Sequence, residues 1–266
     1  MSRASRLAEL VERTMSEGSV SIEDVMDWYA VSAATARRDL NILAEQQLVT
    51  RTRGGARANH GSGDVPMRYR AAQGRAAKEA IARATLGYLE TGSVVAFNGG
   101  TTTTAVAYEL GVALATSHPH EEDVTTVVTN AVNIANDLAV RTQLRVVVTG
   151  GVARARSYEL VGPLAEALLP RMSIDTLVLG VNAIDVEHGL FTHNDGEAAV
   201  NAALVAAARR TIVVADSSKL NAHAFARICG VEDCAVLITD AGIGSEHVAA
   251  LTAAGMDVII AGGGGS

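Results

Sequence analysis

Two cysteines, Cys229 and Cys234, are all the thiols in this 266-residue sequence. That excludes a disulfide framework, and a zinc site would need further ligands at short spacing. The pair reads as buried, reduced thiols. Long hydrophobic runs are missing too. No apolar stretch reaches the roughly 18 residues of a membrane span. The opening "MSRASRLAELVERTMSEG" is an amphipathic helix pattern without a signal-peptide core. A cytoplasmic protein with no membrane partner is expected. Aromatics make up 3% and charged residues 19%. Lysine occurs only at Lys78 and Lys219. A net charge of −7 excludes a protein coated in basic charge. Apolar residues, at 48%, suffice for a sizeable core and exclude a disordered chain.

The basic charge that exists is local. Residues 31–57 hold five arginines and two acids. Leu7, Leu10, Val11 and Thr14 recur at helical spacing, and Gly18 ends that helix. Ser21 with Asp24 three positions on is a capping-box start for a second helix to about Trp28. Ser32 is a good N-cap for a third, with Ala36, Leu40 and Leu43 on one face. Arg37 and Arg38 project from its N-terminal half. "LVTRTR", 48–53, alternates as a strand, and Gly54-Gly55 turns it. Two helices joined by a tight turn, then a basic hairpin, predict a winged helix-turn-helix over 1–57. Its third helix would meet base edges through Arg37 and Arg38. Ser32 and Thr35 would reach phosphate at the helix start, and the wing arginines Arg51, Arg53 and Arg57 the backbone. By spacing alone, a small helical dimerisation module with a solvated basic face is the other reading.

The stretch 58–74, "ANHGSGDVPMRYRAAQG", has glycines, one proline and little periodicity, and reads as a linker. From there the pattern changes. "SVVAF", "VTTVVT", "LRVVVT", "IDTLVLGV", "TIVVA", "CAVLIT" and "MDVII" alternate with helix-length segments. That alternation predicts a parallel sheet covered by helices over 75–261. "HPHEED", 118–123, reads as a surface loop. The closing Gly-rich residues, 262–266, read as a flexible tail.

Each apolar run ends in a polar or glycine-rich patch. The first gives Asn98, Gly99, Gly100, Thr101, Thr102 and Thr103. Later ones give Asn130, then Gly150 and Gly151, then Asp185, then Lys219. Strand ends of an open parallel sheet share one edge, where ligands bind. The threonine turn opens a helix and favours phosphate. Lys219 would add a charge, and Asn130, Asp185 and Glu197 would bind hydroxyls. A plain strand–helix turn is the alternative for the threonine loop alone. His188 and His193 read as loop residues or ligand contacts rather than a metal site. No cofactor is expected.

"VSAATARRDLNILAEQQLVTRTRGGA", 31–56, resembles the DNA-binding signature of the DeoR family of bacterial sugar-catabolism regulators. Val31, Ser32, Thr35, Arg37, Arg38, Asp39, Leu40, Leu43, Arg51, Gly54, Gly55 and Ala56 match. Ala36, Gln47 and Arg53 stand where the family usually has isoleucine, glycine and histidine. "GTTTT", "VTN", "TGG", "GLFTHNDGEAAV", "VADSSK" and "LITD" resemble the family's sensor domain, with Asn98 where aspartate is usual. That domain is related in fold to pentose-phosphate isomerases. The resemblance implies a sugar-phosphate effector and operator DNA as partner. A repressor released by its effector is expected, with 58–74 and helix 75–90 as coupling elements, and since one recognition helix buries little surface, a homo-oligomer reading paired half-sites is expected too. An isomerase-like enzyme with an accessory DNA-binding module is the alternative, and a metabolite-blind DNA binder a third. An isomerase needs a carboxylate base and a stabilising cation. Here "DGAD" is replaced by Asn182-Ala183-Ile184-Asp185, and no lysine lies between Lys78 and Lys219. A non-enzyme is therefore expected.

Overall fold

The structure is a computed structural model that describes residues 3–46, 48–58, 67–70, 74–116 and 124–262. Two compact units divide the chain, Met1–Gln73 and Gly74–Ser266. Gln47, the loop at 118–123, most of 58–74 and the tail from 263 lie outside the described residues.

In the first unit, α1 (Arg3–Glu17) precedes β1 (Ser19–Ser21), α2 (Ile22–Tyr29), α3 (Ala33–Glu45), β2 (Val49–Arg51), β3 (Gly55–Ala58) and the single turn α4 (Met67–Arg70). The predicted capping box is formed. Ser21 Oγ accepts from Asp24 N–H at 3.0 Å, and the Asp24 carboxylate accepts from Ser21 N–H at 2.8 Å. Those bonds hold the Asp24 carboxyl below its usual range, the Ser21 amide contributing most. α2 stops at Ala30, which is left-handed at φ 51°. Ser32 then caps α3, accepting from Thr35 N–H at 3.2 Å. Ala36, Leu40 and Leu43 point inward onto Leu10, Val11 and Val25. The wing is a three-stranded antiparallel sheet in the order β1-β3-β2. β1 has no signal in the sequence beyond Val20, because a three-residue strand carries too little pattern. β1 and β3 approach so closely that a Cβ on Gly55 would lie 2.8 Å from Ser21 Cα.

The second unit contains α5 (Arg75–Leu86), β4 (Val94–Phe97), α6 (Thr101–Thr116), β5 (Thr125–Thr129), α7 (Val132–Ala139) and β6 (Leu144–Val148). A small hairpin, β7 (Val152–Ala153) and β8 (Leu160–Val161), leads to α8 (Pro163–Glu166). There follow β9 (Ile174–Gly180), β10 (Ala183–Asp185), β11 (Gly189–Thr192), α9 (Asp195–Ala207), β12 (Ala208–Val214), β13 (Ala226–Cys229), β14 (Val236–Thr239), α10 (Ser245–Ala253) and β15 (Asp257–Ile260). The seven predicted runs form one seven-stranded sheet, β15-β14-β12-β9-β4-β5-β6. Every pair in it is parallel.

Side chains alternate between the two faces, and both faces are buried. Val95, Phe97, Val127, Val178, Ile212 and Ile238 pack under α5, α6 and α7. Ala96, Val128, Leu177, Leu179, Val213 and Leu237 pack under α9, α10 and the small antiparallel sheet β10-β11-β13. β4 lies between β5 and β9, and the chain winds away from it in opposite directions. The β4/β9 gap is therefore the topological switch point, where such sheets open a crevice.

Candidate functional site

On the first unit, α3 separates its charges. Arg37 and Arg38 are exposed. Asp39, between them and Leu40, is fully buried and takes Arg6 at 2.7 Å and Arg3 at 3.5 Å from α1. One helical turn thus presents two guanidiniums outward and anchors itself inward. The Ser32 and Thr35 hydroxyls lie 3.0 Å apart and serve the cap. Arg53 and Arg57 are exposed on the wing. Arg51 departs from the expected pattern. Its Nε donates to Asn41 Oδ1 at 2.9 Å and its Nη1 to the Gly55 carbonyl. It ties β2 to α3 and β3, so its first duty is holding the wing. Spacing could not show this, because Asn41 reads as an ordinary solvent-facing residue.

On the second unit, the threonine turn sits at the carboxyl end of β4, beside the switch point. Gly100 has φ 142°, open to glycine and strained for other residues. Thr104 N–H donates to the Gly100 carbonyl at 3.0 Å. The Thr103 and Thr104 hydroxyls reach the same oxygen at 3.0 and 2.6 Å. Thr103 is thereby committed to the turn. The N–H groups of Thr101, Thr102 and Thr103 are those a helix leaves without an intrahelical acceptor. Asn98 is also committed. Its Oδ1 accepts from Gly180 N–H at 2.7 Å and its Nδ2 donates to the Gly180 carbonyl at 2.9 Å. It stitches β4 to β9 across the gap and is 1% exposed.

Asn130, at the end of β5, is fully buried. Its Nδ2 donates to Glu159 Oε2 at 3.1 Å, while its Oδ1 has no donor among the described residues. Glu159 comes from a strap, residues 154–160, laid antiparallel against 130–132. Leu160 N–H donates to the Asn130 carbonyl at 2.7 Å and Val132 N–H to the Tyr158 carbonyl at 2.9 Å. The strap also delivers Arg154, whose Nε lies 2.9 Å from Glu197 Oε1. Glu197 sits in the first turn of α9 and is 4% exposed. Thr192 Oγ1 lies 3.0 Å from Glu197 Oε2 and 2.8 Å from Asn182 Oδ1. Glu159 and Arg154 carry no signal in the sequence, since non-local pairing alone places them.

Asp185 lies on β10, which packs beside the turn Ser217–Asn221 that carries Lys219. It ends β10, about 10 Å along the strand from Asn182. Its Oδ1 takes the N–H groups of Glu187 and His188 at 3.0 and 2.9 Å and the His188 ring at 2.9 Å. The His188 ring and amide hold its carboxyl below the usual range. It closes its own hairpin and lines an open cleft of about 300 Å³ with Glu187, His223 and His247. Gly151 is a packing glycine: a Cβ there would lie 2.8 Å from the Val161 carbonyl oxygen. Gly150, at φ 81°, completes that turn at the end of β6, two strands from β4. Lys219 lies on the turn after β12, two strands from β4 on the other side, half-buried and without an acidic partner among the described residues. Cys229 and Cys234 are free and buried, with sulfurs 3.8 Å apart. Their mutual contact and burial push the Cys234 thiol up, away from the thiolate. No metal-holding group of three or more ligands occurs among the described residues, and no helix there is long and apolar enough to cross a membrane.

Two families match along the chain: the DeoR-like helix-turn-helix domain over residues 6–62 and the DeoR C terminal sensor domain over residues 73–241. The chain belongs to the DeoR family of transcriptional regulators. It is 34% identical over 257 residues to the HTH-type transcriptional regulator GlpR of Haloferax volcanii, covering 96% of this chain and 97% of that one. It is 31% identical over 241 residues to the glycerol-3-phosphate regulon repressor of Escherichia coli K12, covering 91% and 92%. Against ribose 5-phosphate isomerase A of Methanocaldococcus jannaschii the identity is 17% and the TM-score 0.39, over 54% of this chain and 53% of that one. The DeoR-family assignment makes this chain a DNA-binding transcriptional regulator and not an enzyme.

Proposed function

We propose that this DeoR-family regulator represses a sugar or sugar-derivative catabolic operon, and that a phosphorylated sugar bound at the ends of β5, β4 and β9 modulates its grip on operator DNA. Arg37 and Arg38 read base edges. Ser32, Thr35, Arg53 and Arg57 meet phosphates, and Arg51 positions the wing. A homo-oligomer supplies paired recognition helices. In the sensor, the amides of Thr101, Thr102 and Thr103 and the Thr101 and Thr102 hydroxyls receive phosphate. Asn130, Glu197 and the Asn182–Thr192 pair face the sugar hydroxyls, and Lys219 adds charge from the flank.

The observation that carries this reading is the buried Asn130 Oδ1. A buried acceptor without a donor costs about 1–3 kcal/mol, and a ligand hydroxyl would satisfy it. The effector shifts DNA affinity only by binding one DNA-binding state better than the other. One relative is named for a glycerol-3-phosphate regulon, which puts small phosphorylated polyols on the test panel. The test is fluorescence anisotropy on the gene's own upstream DNA at fixed salt, with a panel of sugar and polyol phosphates. One compound should change the DNA Kd by about tenfold or more, and Asn130→Ala should abolish that change. Specific DNA binding that no compound on the panel alters would sink the sensor half.

A further inference from the structure

The phosphate turn does not face open space. A Cβ built on Gly99 would lie 2.7 Å from both Cδ and Oε1 of Glu159. The Glu159 carboxyl group therefore rests directly on the backbone leading into α6. It is 4% exposed and its other oxygen takes Asn130 Nδ2 at 3.1 Å. A carboxylate near the N-terminus of a 16-residue helix sits where that helix favours negative charge. The strap that holds it is main-chain bonded at both ends. Arg154 N–H donates to the Glu159 carbonyl and Tyr158 N–H to the Arg154 carbonyl, each at 2.8 Å. Tyr158, next to Glu159, is at φ 63°, a conformation a tyrosine adopts only under constraint. The backbone is thus fixed, so any displacement of the carboxyl group falls to the Glu159 side chain.

Resting on the sensor-site reading above, we propose that Glu159 is the pocket's own competing anion. Its carboxylate stands against Gly99 at the start of the threonine turn, and an incoming phosphate must displace it. Displacement frees Asn130 Nδ2, which then donates to the ligand while Oδ1 accepts from it. Glu159 sets the affinity threshold of the sensor: a ligand lacking strong negative charge at that turn cannot compete with a carboxylate already held there. Gly99 is required because any side chain at that position would exclude the carboxylate. The proposal also accounts for a buried acid beside an anion-binding turn, where two fixed negative charges would repel.

The test is isothermal titration of the full-length protein with inorganic phosphate, comparing wild type with Glu159→Gln, Glu159→Ala and Thr102→Val. Glu159→Gln keeps the shape and removes the charge, and Glu159→Ala tests the same point if the amide disturbs the strap. Both should tighten phosphate binding at least tenfold, and Thr102→Val should weaken it. Unchanged or weaker binding in both Glu159 variants, with Thr102→Val still weakened, overturns the competing-anion role and leaves the phosphate turn standing. No phosphate binding in any of the four proteins overturns both.

Discussion

The recognition helix and the sensor edge handle charge in opposite ways. On α3, Arg37 and Arg38 are exposed, and the one acid of the motif is buried against α1. At the sensor edge, Glu159 and Glu197 are buried and already engaged, as are both ends of the Asn98 amide. DNA is a large, uniformly charged partner, and solvated guanidiniums meet it with little reorganisation. A small ligand must be told from its isomers, and that requires groups held in place before it arrives. The same residue types therefore carry different meanings. An exposed arginine on α3 is available for contact, whereas a polar residue at the sheet edge serves the scaffold first.

The largest effect is expected on the DNA side. Replacing Arg37 or Arg38 by alanine should each raise the operator Kd by about tenfold or more, roughly 1–3 kcal/mol, with the melting temperature unchanged. Anisotropy at several salt concentrations would measure this, and a fall in melting temperature with unaltered Kd would break the comparison. Asn98→Ala should do the reverse. Losing both bonds to Gly180 inside the core costs about 2–3 kcal/mol of folding stability, read by chemical denaturation. An Asn98 variant with wild-type stability but altered ligand preference would return that residue to the ligand. The smallest effect concerns the turn of the DNA-binding unit. Ala30→Gly relieves a left-handed alanine and should stabilise that unit by about 1 kcal/mol, seen as a rise of several degrees in its melting transition.

Much of the fold was legible because the inner strands of the sheet are buried on both faces. "TLVLG" and "TIVVA" need no partner to be recognised. β10, β11 and β13 were not legible, because none holds more than two adjacent apolar residues. The place of Gly99–Thr103 and Asn130 at strand ends was legible because each follows an apolar run. Their partners were not. Glu159 reaches Gly99 through an antiparallel bridge to Ala131, and Asn98 finds Gly180 across the sheet. Asp185 also follows an apolar run, but the β10–β11 hairpin that its carboxylate closes carried no signal. Arg51 lies in a wing that reads as basic, and only the contact with Asn41 shows its structural duty.

The position of β4 has a consequence for synthesis on the ribosome. It is the first strand of its sheet to be made, and it lies inside the sheet between β5 and β9. Its neighbour β5 follows within one helix, but β9 begins only at Ile174. At ordinary elongation rates, one edge of β4 waits on the order of ten seconds for its second partner. During that interval the nascent half-sheet presents Val95, Ala96 and Phe97 along an open backbone edge. The emerging chain is then exposed to aggregation at the strand whose end carries the threonine turn.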